Sequence, residues 1–294
     1  MKPLVDQRNS TTRTWALRAL YLLCWPVLIA PRTLRVRKAG SGPVQVYFFH
    51  IRKTAGTSLT RAFAAAGGEP ADVVIRRLSR LTGSASSGPF HYLHRGDTMI
   101  AALSPFTFGW SHVPSWRFRL PRSAHRVTIL RDPVVRVRSL YAYLADPSAH
   151  ADAAFPAHPA LRELASDGFD SFLRRAPREL LLNQLFMFSP SLDPAEAAAT
   201  IQGLDTWFFT ESYATGIEAL ASRAGVRLEV RTERRSAPVE AVDPDAENLL
   251  RELLAPEYVM INILRSQPGS GFVGSFPEPP FETGRTNTSG NEDG

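Results

Sequence analysis

"VQVYFFHIRKTAGTSL", Val44 to Leu59, is the stretch that decides the fold. Its β-branched and aromatic opening, Val44 to Phe49, reads as a buried strand. The apolar run stops at His50. Arg52 and Lys53 follow, then a small-residue turn at Ala55 and Gly56. Thr57 to Ala66 reads as a helix whose first turn holds the hydroxyls of Thr57 and Ser58. A tight turn from strand to helix aims backbone N–H groups and the positive end of the helix dipole at one spot. Phosphate or sulfate is the natural occupant of such a spot. Gly56 and Ala55 let the backbone come close, Lys53 adds a point charge, and Thr57 and Ser58 add donors.

The loop is not a Walker A sequence. In G-x-x-x-x-G-K-[ST] the lysine follows the second glycine. Here Lys53 precedes Gly56 and no glycine opens the loop, which disfavours an ordinary P-loop nucleotide hydrolase or kinase.

Outward from this stretch, strand and helix signals alternate. Phe106–Trp110, Arg126–Leu130, Thr206–Thr210 and Arg227–Val230 read as strands. Helices are expected from Val134 to about Leu144, through much of 160–202, from the fourth strand to Leu220, and from Asp245 to about Leu264. Gly83–Pro89 reads as a loop. The tail from Gln267 is rich in Gly, Pro, Ser and Asn and is expected to be disordered. The alternation predicts an α/β fold with a central parallel sheet flanked by helices. Ligands in such sheets bind at the carboxyl ends of the strands. His50–Ser58, Ser111–His112 and Arg131–Asp132 all fall there.

The chain has 294 residues and is 44% hydrophobic, enough for one large core or two small ones, with no repeat period. Its net charge of +6 favours an anionic ligand without naming it. Of 34 cationic side chains only Lys2, Lys38 and Lys53 are lysines. GC-rich coding explains most of that bias, yet a lone lysine beyond residue 38 also fits a site where a planar guanidinium does not. Cys24 is the single cysteine, so an intramolecular disulfide and a cysteine-based metal site are both excluded.

Trp15 to Pro31 is apolar except for Arg18, and cations flank it on both sides. It falls short of the ~18–20 apolar residues that span a bilayer. The basic run after Pro31 argues against a cleaved signal peptide. A short anchor, an interfacial helix on anionic lipid and a packed soluble helix remain, and membrane attachment through residues 15–38 is placed ahead of packing, a cytoplasmic protein otherwise. The expected organisation is an N-terminal segment and linker over 1–43, one domain over 44–266, and a tail over 267–294.

"RVTILRDPVVRVRSLYAYL", Arg126 to Leu144, is the second informative stretch. It reads as a strand, an arginine at its tip, Asp-Pro as a helix start, and Ser139 eight residues after Arg131. On that helix Arg136 and Ser139 share a face, and with Arg131 they are expected to converge on a second anionic group. Of Arg136 and Arg138, one is expected to face the ligand and the other solvent. Asp132 reads as a helix cap.

"HIRKTAGTSL" resembles the 5′-phosphosulfate loop of sulfotransferases, and "LRDPVVRVRSLY" resembles their 3′-phosphate motif. The group most similar is the carbohydrate (heparan-type) sulfotransferases and their bacterial relatives. "FGWSHVPSW", "LLNQLFMF" and "WFFTESYATGIEAL" resemble later segments of that group, so the likeness runs from about residue 44 to 265. It implies a P-loop-like three-layer fold and 3′-phosphoadenosine 5′-phosphosulfate as sulfonate donor. Lys53, Gly56, Thr57 and Ser58 would hold the 5′-phosphosulfate, with Arg52 and Thr54 in the same loop. Arg131 and Ser139 would hold the 3′-phosphate. Arg52 stands where proline is usual and Ala55 where glycine is usual; neither change removes a ligand group.

Sulfonyl transfer needs a base for the acceptor hydroxyl, an in-line geometry and charge stabilisation at the leaving oxygen. Lys53 is the candidate for the charge and His112 for the base. His50 is the second candidate base, and the alternative for either histidine is a hydrogen-bonded structural role. His91, His94 and His125 have no supporting context, and no metal is expected. Glu211 fits either an orienting role or an ion pair. Trp110 and Trp116 fit sugar stacking or the core. An arginine-rich surface including Arg76, Arg77 and Arg117 fits an acidic glycan or a solvated face equally. The expected partner is a hydroxyl-bearing acceptor, a carbohydrate, with no nucleic acid. A non-catalytic binder of nucleotide or polyanion and a kinase-like P-loop enzyme are the alternatives.

Overall fold

All four residues of strand β1 (Val46–Phe49) are buried, because the strand lies inside the sheet with both faces covered. Tyr47 and Phe49 enter one hydrophobic core, and Val46 and Phe48 enter the other. This is why the stretch reads as a continuous apolar run rather than an alternating one. The computed structural model describes residues 44–80, 84–88, 90–94, 106–117, 120–148, 158–230 and 243–277.

After β1 come helices α1 (Gly56–Ala66) and α2 (Ala71–Arg80), then strands β2 (Ser84–Ser87), β3 (Phe90–His94), β4 (Phe108–Ser111) and β5 (His125–Leu130). Helix α3 (Pro133–Ala145) follows, then the short helices α4 (Pro159–Glu163), α5 (Phe169–Arg175), α6 (Arg178–Leu181) and α7 (Asn183–Phe186). Helix α8 (Pro194–Gln202), strand β6 (Thr206–Phe209), helix α9 (Tyr213–Ala224) and helix α10 (Pro244–Ser266) complete the order. The six strands lie in the order β2-β3-β4-β1-β5-β6. Only the β2–β3 pair is antiparallel, so the fold is α/β with a mostly parallel sheet and helices around it.

Three expectations are corrected. Gly83–Pro89 is not simply a loop, since Ser84–Ser87 pairs with Phe90–His94 as an edge hairpin. Its serine-rich sequence carries no strand signal, and the pairing rests on the neighbouring strand. Arg227–Val230 forms no strand; it runs irregularly after α9. The tail is packed as far as Pro277. Trp207 on edge strand β6 donates its N–H to Gly271 O and accepts from Val273 N–H, both near 3 Å (2.9 and 3.0 Å). Phe272 and Phe276 stack with each other and lie against Trp207 and Phe209. Two phenylalanines in a Gly/Ser-rich segment are enough to cover the open edge. Residues 278–294 and 1–43, including the stretch 15–38 expected to attach to a membrane, lie outside the described residues. Among the described residues no helix is long and apolar enough to cross a membrane.

The two central crossings matter most. β4 and β5 flank β1 in parallel, so the loops leaving all three strands emerge side by side on one edge of the sheet.

Candidate functional site

The loop after β1 is built on two left-handed residues, Lys53 at φ 69° and Ala55 at φ 61°. Such a conformation is costly for a residue with a Cβ, and its use at Ala55 explains why glycine suits this position. Thr54 is buried and donates its hydroxyl to Ile51 O at 3.0 Å, which closes the turn. That hydroxyl is spent within the loop, so Thr54 can offer a ligand only its backbone. Gly56 opens α1 for a reason the sequence does not reveal: a Cβ there would fall 1.8 Å from His50 Nε2. The glycine makes room for the His50 ring rather than for a ligand.

Helix α1 begins without a capping side chain and without an acidic residue in its first turn. Its positive end is therefore left to whatever approaches it. Thr57 is exposed there, while Ser58 is buried. The Lys53 ammonium lies 4.5 Å from the centre of the Tyr143 ring on α3.

Arg131, at the tip of β5, donates from Nη1 to Lys53 O at 3.1 Å. The two motifs, 78 residues apart in sequence, therefore meet directly. Burial lowers the Arg131 guanidinium pKa, with Glu211 and Asp132 opposing that effect. Glu211 is exposed on the turn that follows β6 (Thr210–Ser212). Asp132 caps α3, accepting from Val135 N–H at 2.9 Å, and also accepts from the Tyr258 hydroxyl. Ser139 is buried on α3.

Arg136 departs from expectation. It is fully buried and does not face the crevice: it donates to Leu181 O and lies 3.7 Å from the equally buried Glu257. Arg138 pairs with Glu247 on α10. Neither guanidinium is left for the ligand, because each is held by an acidic residue of α10.

Histidines collect at the tips of β1, β3 and β4. His112 and His50 lie 4.3 Å apart between ring centres, and His112 Nδ1 is 2.7 Å from His50 O. A carbonyl can only accept, so His112 Nδ1 carries the proton and Nε2 carries the lone pair. Burial pushes the His112 pKa well below 6.5, and Arg52 and His50 push it further. Burial likewise takes His50 to about 3, with Arg52, His94 and Lys53 contributing. His94 stacks on Trp110, sets its Nδ1 3.3 Å from Trp110 O, and is lowered to about 4 by burial. All three are neutral at pH 7. His94 was invisible as a site residue in the sequence, where only the pairing of β3 beside β4 brings it near. Among the described residues no group of three or more His, Cys, Asp or Glu is placed to hold a metal ion.

The other histidines stay away: His125 bonds Thr206 at the far end of β5, and His91 bonds Ser86 in the hairpin. Ser111 is buried beneath Tyr47, accepting its hydroxyl proton at 2.9 Å. Trp110 is core, whereas Trp116 is 40% exposed, with Arg117 over its ring at 4.7 Å. Of the arginine-rich surface, Arg77 pairs with Glu69.

Two side chains of the LLNQLFMF segment, absent from the candidate site residues, bond the loops after β1 and β5. Asn183 Oδ1 accepts from Arg52 N–H at 3.2 Å, and Gln184 Oε1 accepts from Arg131 N–H at 2.9 Å. An adjacent Asn-Gln pair inside an otherwise apolar helical run was the available signal.

Set beside known proteins, the chain matches no family model and no curated protein.

Proposed function

We propose that this protein is a sulfotransferase that moves a sulfonate group from 3′-phosphoadenosine 5′-phosphosulfate to a hydroxyl of a carbohydrate acceptor, on a P-loop-like three-layer form of the α/β fold. One observation carries the reading: the loops leaving β1 and β5 meet, Arg131 on Lys53 O, so both cationic motifs border one crevice. A donor charged at both the 3′ and the 5′ position needs two such loops side by side at strand carboxyl ends. The residues fit an anionic donor: Arg52 and Lys53 lie in the loop that leads into an uncapped helix start with no acidic first-turn residue, and Arg131 bonds that loop at Lys53 O.

When bound, the donor supplies an activated sulfur with a phosphate as its leaving group. His112 Nε2 accepts the acceptor's hydroxyl proton, its tautomer set by the Nδ1–H bond to His50 O. Lys53 and the first N–H groups of α1 stabilise negative charge at the leaving oxygen. Thr57 and Ser58 supply hydroxyls at that helix start, Gly56 and Thr54 shape the loop, and Arg131 and Ser139 hold the 3′-phosphate. His50 serves by packing on Gly56 and orienting His112, not as the base. Residues 15–38 would bring the domain to an anionic membrane surface.

The test is calorimetry of adenosine 3′,5′-bisphosphate with the full chain, wild type beside Lys53→Ala and Arg131→Ala. Each variant is expected to weaken binding by about tenfold or more, the loss of one charge-assisted contact. A folded wild type that binds nothing overturns the reading.

A further inference from the structure

The segment Asn183–Met187 is hydrogen-bonded to the loops after β1, β4 and β5. Asn183 Oδ1 accepts from Arg52 N–H, while its own Nδ2 donates to Glu179 O at 3.3 Å and so sets the amide's orientation. Gln184 closes two bonds on the backbone of one residue: Oε1 accepts from Arg131 N–H at 2.9 Å and Nε2 donates to Arg131 O at 3.0 Å. Met187 O accepts from Ser115 N–H at 2.8 Å, and Phe186 O from Trp116 Nε1 at 3.2 Å. The loops after β1, β5 and β4 are thereby tied to five consecutive residues. A break between α6 and α7 at Leu182 (φ −93°, ψ 44°) turns this segment toward the strand tips.

The segment is itself anchored from the far side. Glu257, fully buried on α10, accepts from Gln184 N–H at 2.8 Å and from Gln184 Nε2 at 2.9 Å. Arg136 lies beside that carboxylate and also donates to Leu181 O. A fully buried ion pair is an expensive way to stabilise a core, since apolar residues of equal volume serve as well or better. Its geometry here has a specific result: the Glu257 carboxylate can only accept, so it orients the Gln184 amide with Nε2 toward Glu257 and Arg131 O and with Oε1 toward Arg131 N–H.

We propose that Asn183 and Gln184 are positioning residues that fix the separation of the two anion-binding loops, with the Arg136–Glu257 pair as their anchor. Asn183 holds the phosphosulfate loop through Arg52, and Gln184 holds the 3′-phosphate loop through Arg131. The spacing between them then selects nucleotides charged at both the 3′ and 5′ positions. This inference rests on the donor reading above.

The experiment compares full-length wild type with Gln184→Ala and Asn183→Ala. Gln184→Met, close in volume, stands in if the alanine variant does not fold. Calorimetry is run with adenosine 3′,5′-bisphosphate and with adenosine 5′-monophosphate, alongside amide hydrogen exchange. Loss of the Gln184 side chain removes both hydrogen bonds to Arg131 and one to Glu257, and is expected to weaken the bisphosphate roughly 10- to 100-fold. It should leave the monophosphate nearly unchanged and speed exchange at Arg131. Asn183→Ala should weaken both ligands and speed exchange at Arg52. Equal losses for both ligands in the Gln184 variant, or none, would overturn the proposal, as would unchanged exchange at both arginines. If the folded wild type binds neither nucleotide, the donor reading fails and selection of a bisphosphate fails with it. Faster exchange in the variants would then still establish the clamp on the loops.

Discussion

His112 donates Nδ1–H to the carbonyl of His50 across 2.7 Å, joining the residue after β4 to the residue after β1. The bond does two things at once. It fixes which ring nitrogen keeps a lone pair, and it ties the candidate base to the loop that would hold the reacting group. Replacing His112 by alanine is therefore expected to lower the transfer rate by about 10²- to 10⁴-fold. Affinity for adenosine 3′,5′-bisphosphate should stay within about twofold, since the proposed nucleotide-holding residues lie elsewhere. Rate and calorimetry on the same preparation check this; an unchanged rate would remove His112 from the chemistry.

The same neutral ring sets a pH dependence. The His112 pKa lies below 6.5, so this candidate base remains unprotonated as the pH falls through that value. The acid limb of the rate profile should lie below pH 6.5, in contrast to an ordinary exposed histidine. A limb centred at or above 6.5 would assign the base to another group.

Stability should follow the opposite side of the same linkage. His50, His94 and His112 all have folded-state pKa values below their unfolded value of 6.5. As the pH falls through 6.5 the unfolded chain takes up protons that the folded chain refuses. Their contribution is full above 6.5 and is lost below it, at up to about 1.4 kcal/mol per pH unit for each ring. For His94 the loss continues to about pH 4 and for His50 to about pH 3. Thermal melts at pH 7 and pH 5 measure it, and His94→Gln should reduce the difference.

Gly56 and Ala55 should respond to exchange in opposite ways. Gly56→Ala drives a methyl group into the His50 ring and should destabilise by about 1–3 kcal/mol, as overpacking does. Ala55→Gly relieves a left-handed φ of 61° and should stabilise by about 0.5–1 kcal/mol. Denaturant unfolding of the two variants decides, and destabilisation by Ala55→Gly would contradict the loop geometry.

Glu257→Ala leaves Arg136 buried without its counter-charge. The expected cost is about 3–5 kcal/mol, far more than for an exposed pair such as Arg174–Asp170. A loss under about 1 kcal/mol would mean that water reaches Arg136.

By itself the sequence determined the parallel α/β plan, because β1, β5 and β6 are long enough apolar runs, and the helices after β1 and β5 strong enough, to be read locally. It also placed Lys53, Arg131 and His112 in the loops after strands, since each comes within four residues of the end of β1, β5 or β4. Tertiary structure alone decided the rest. The serine-rich β2 exists only because β3 offers it an edge. Phe272 and Phe276 order the tail only because β6 presents Trp207 to them. Arg136 was indistinguishable in sequence from a ligand-facing arginine; its partner Glu257 lies on a helix more than a hundred residues away. His94 joins His50 and His112 through the pairing of β3 beside β4, and the Asn183-Gln184 pair was visible in sequence while its partners Arg52, Arg131 and Glu257 were not. Local patterns record what a residue does to its own backbone, whereas the partner of a buried charge or amide is set by which strands and helices the chain brings alongside it.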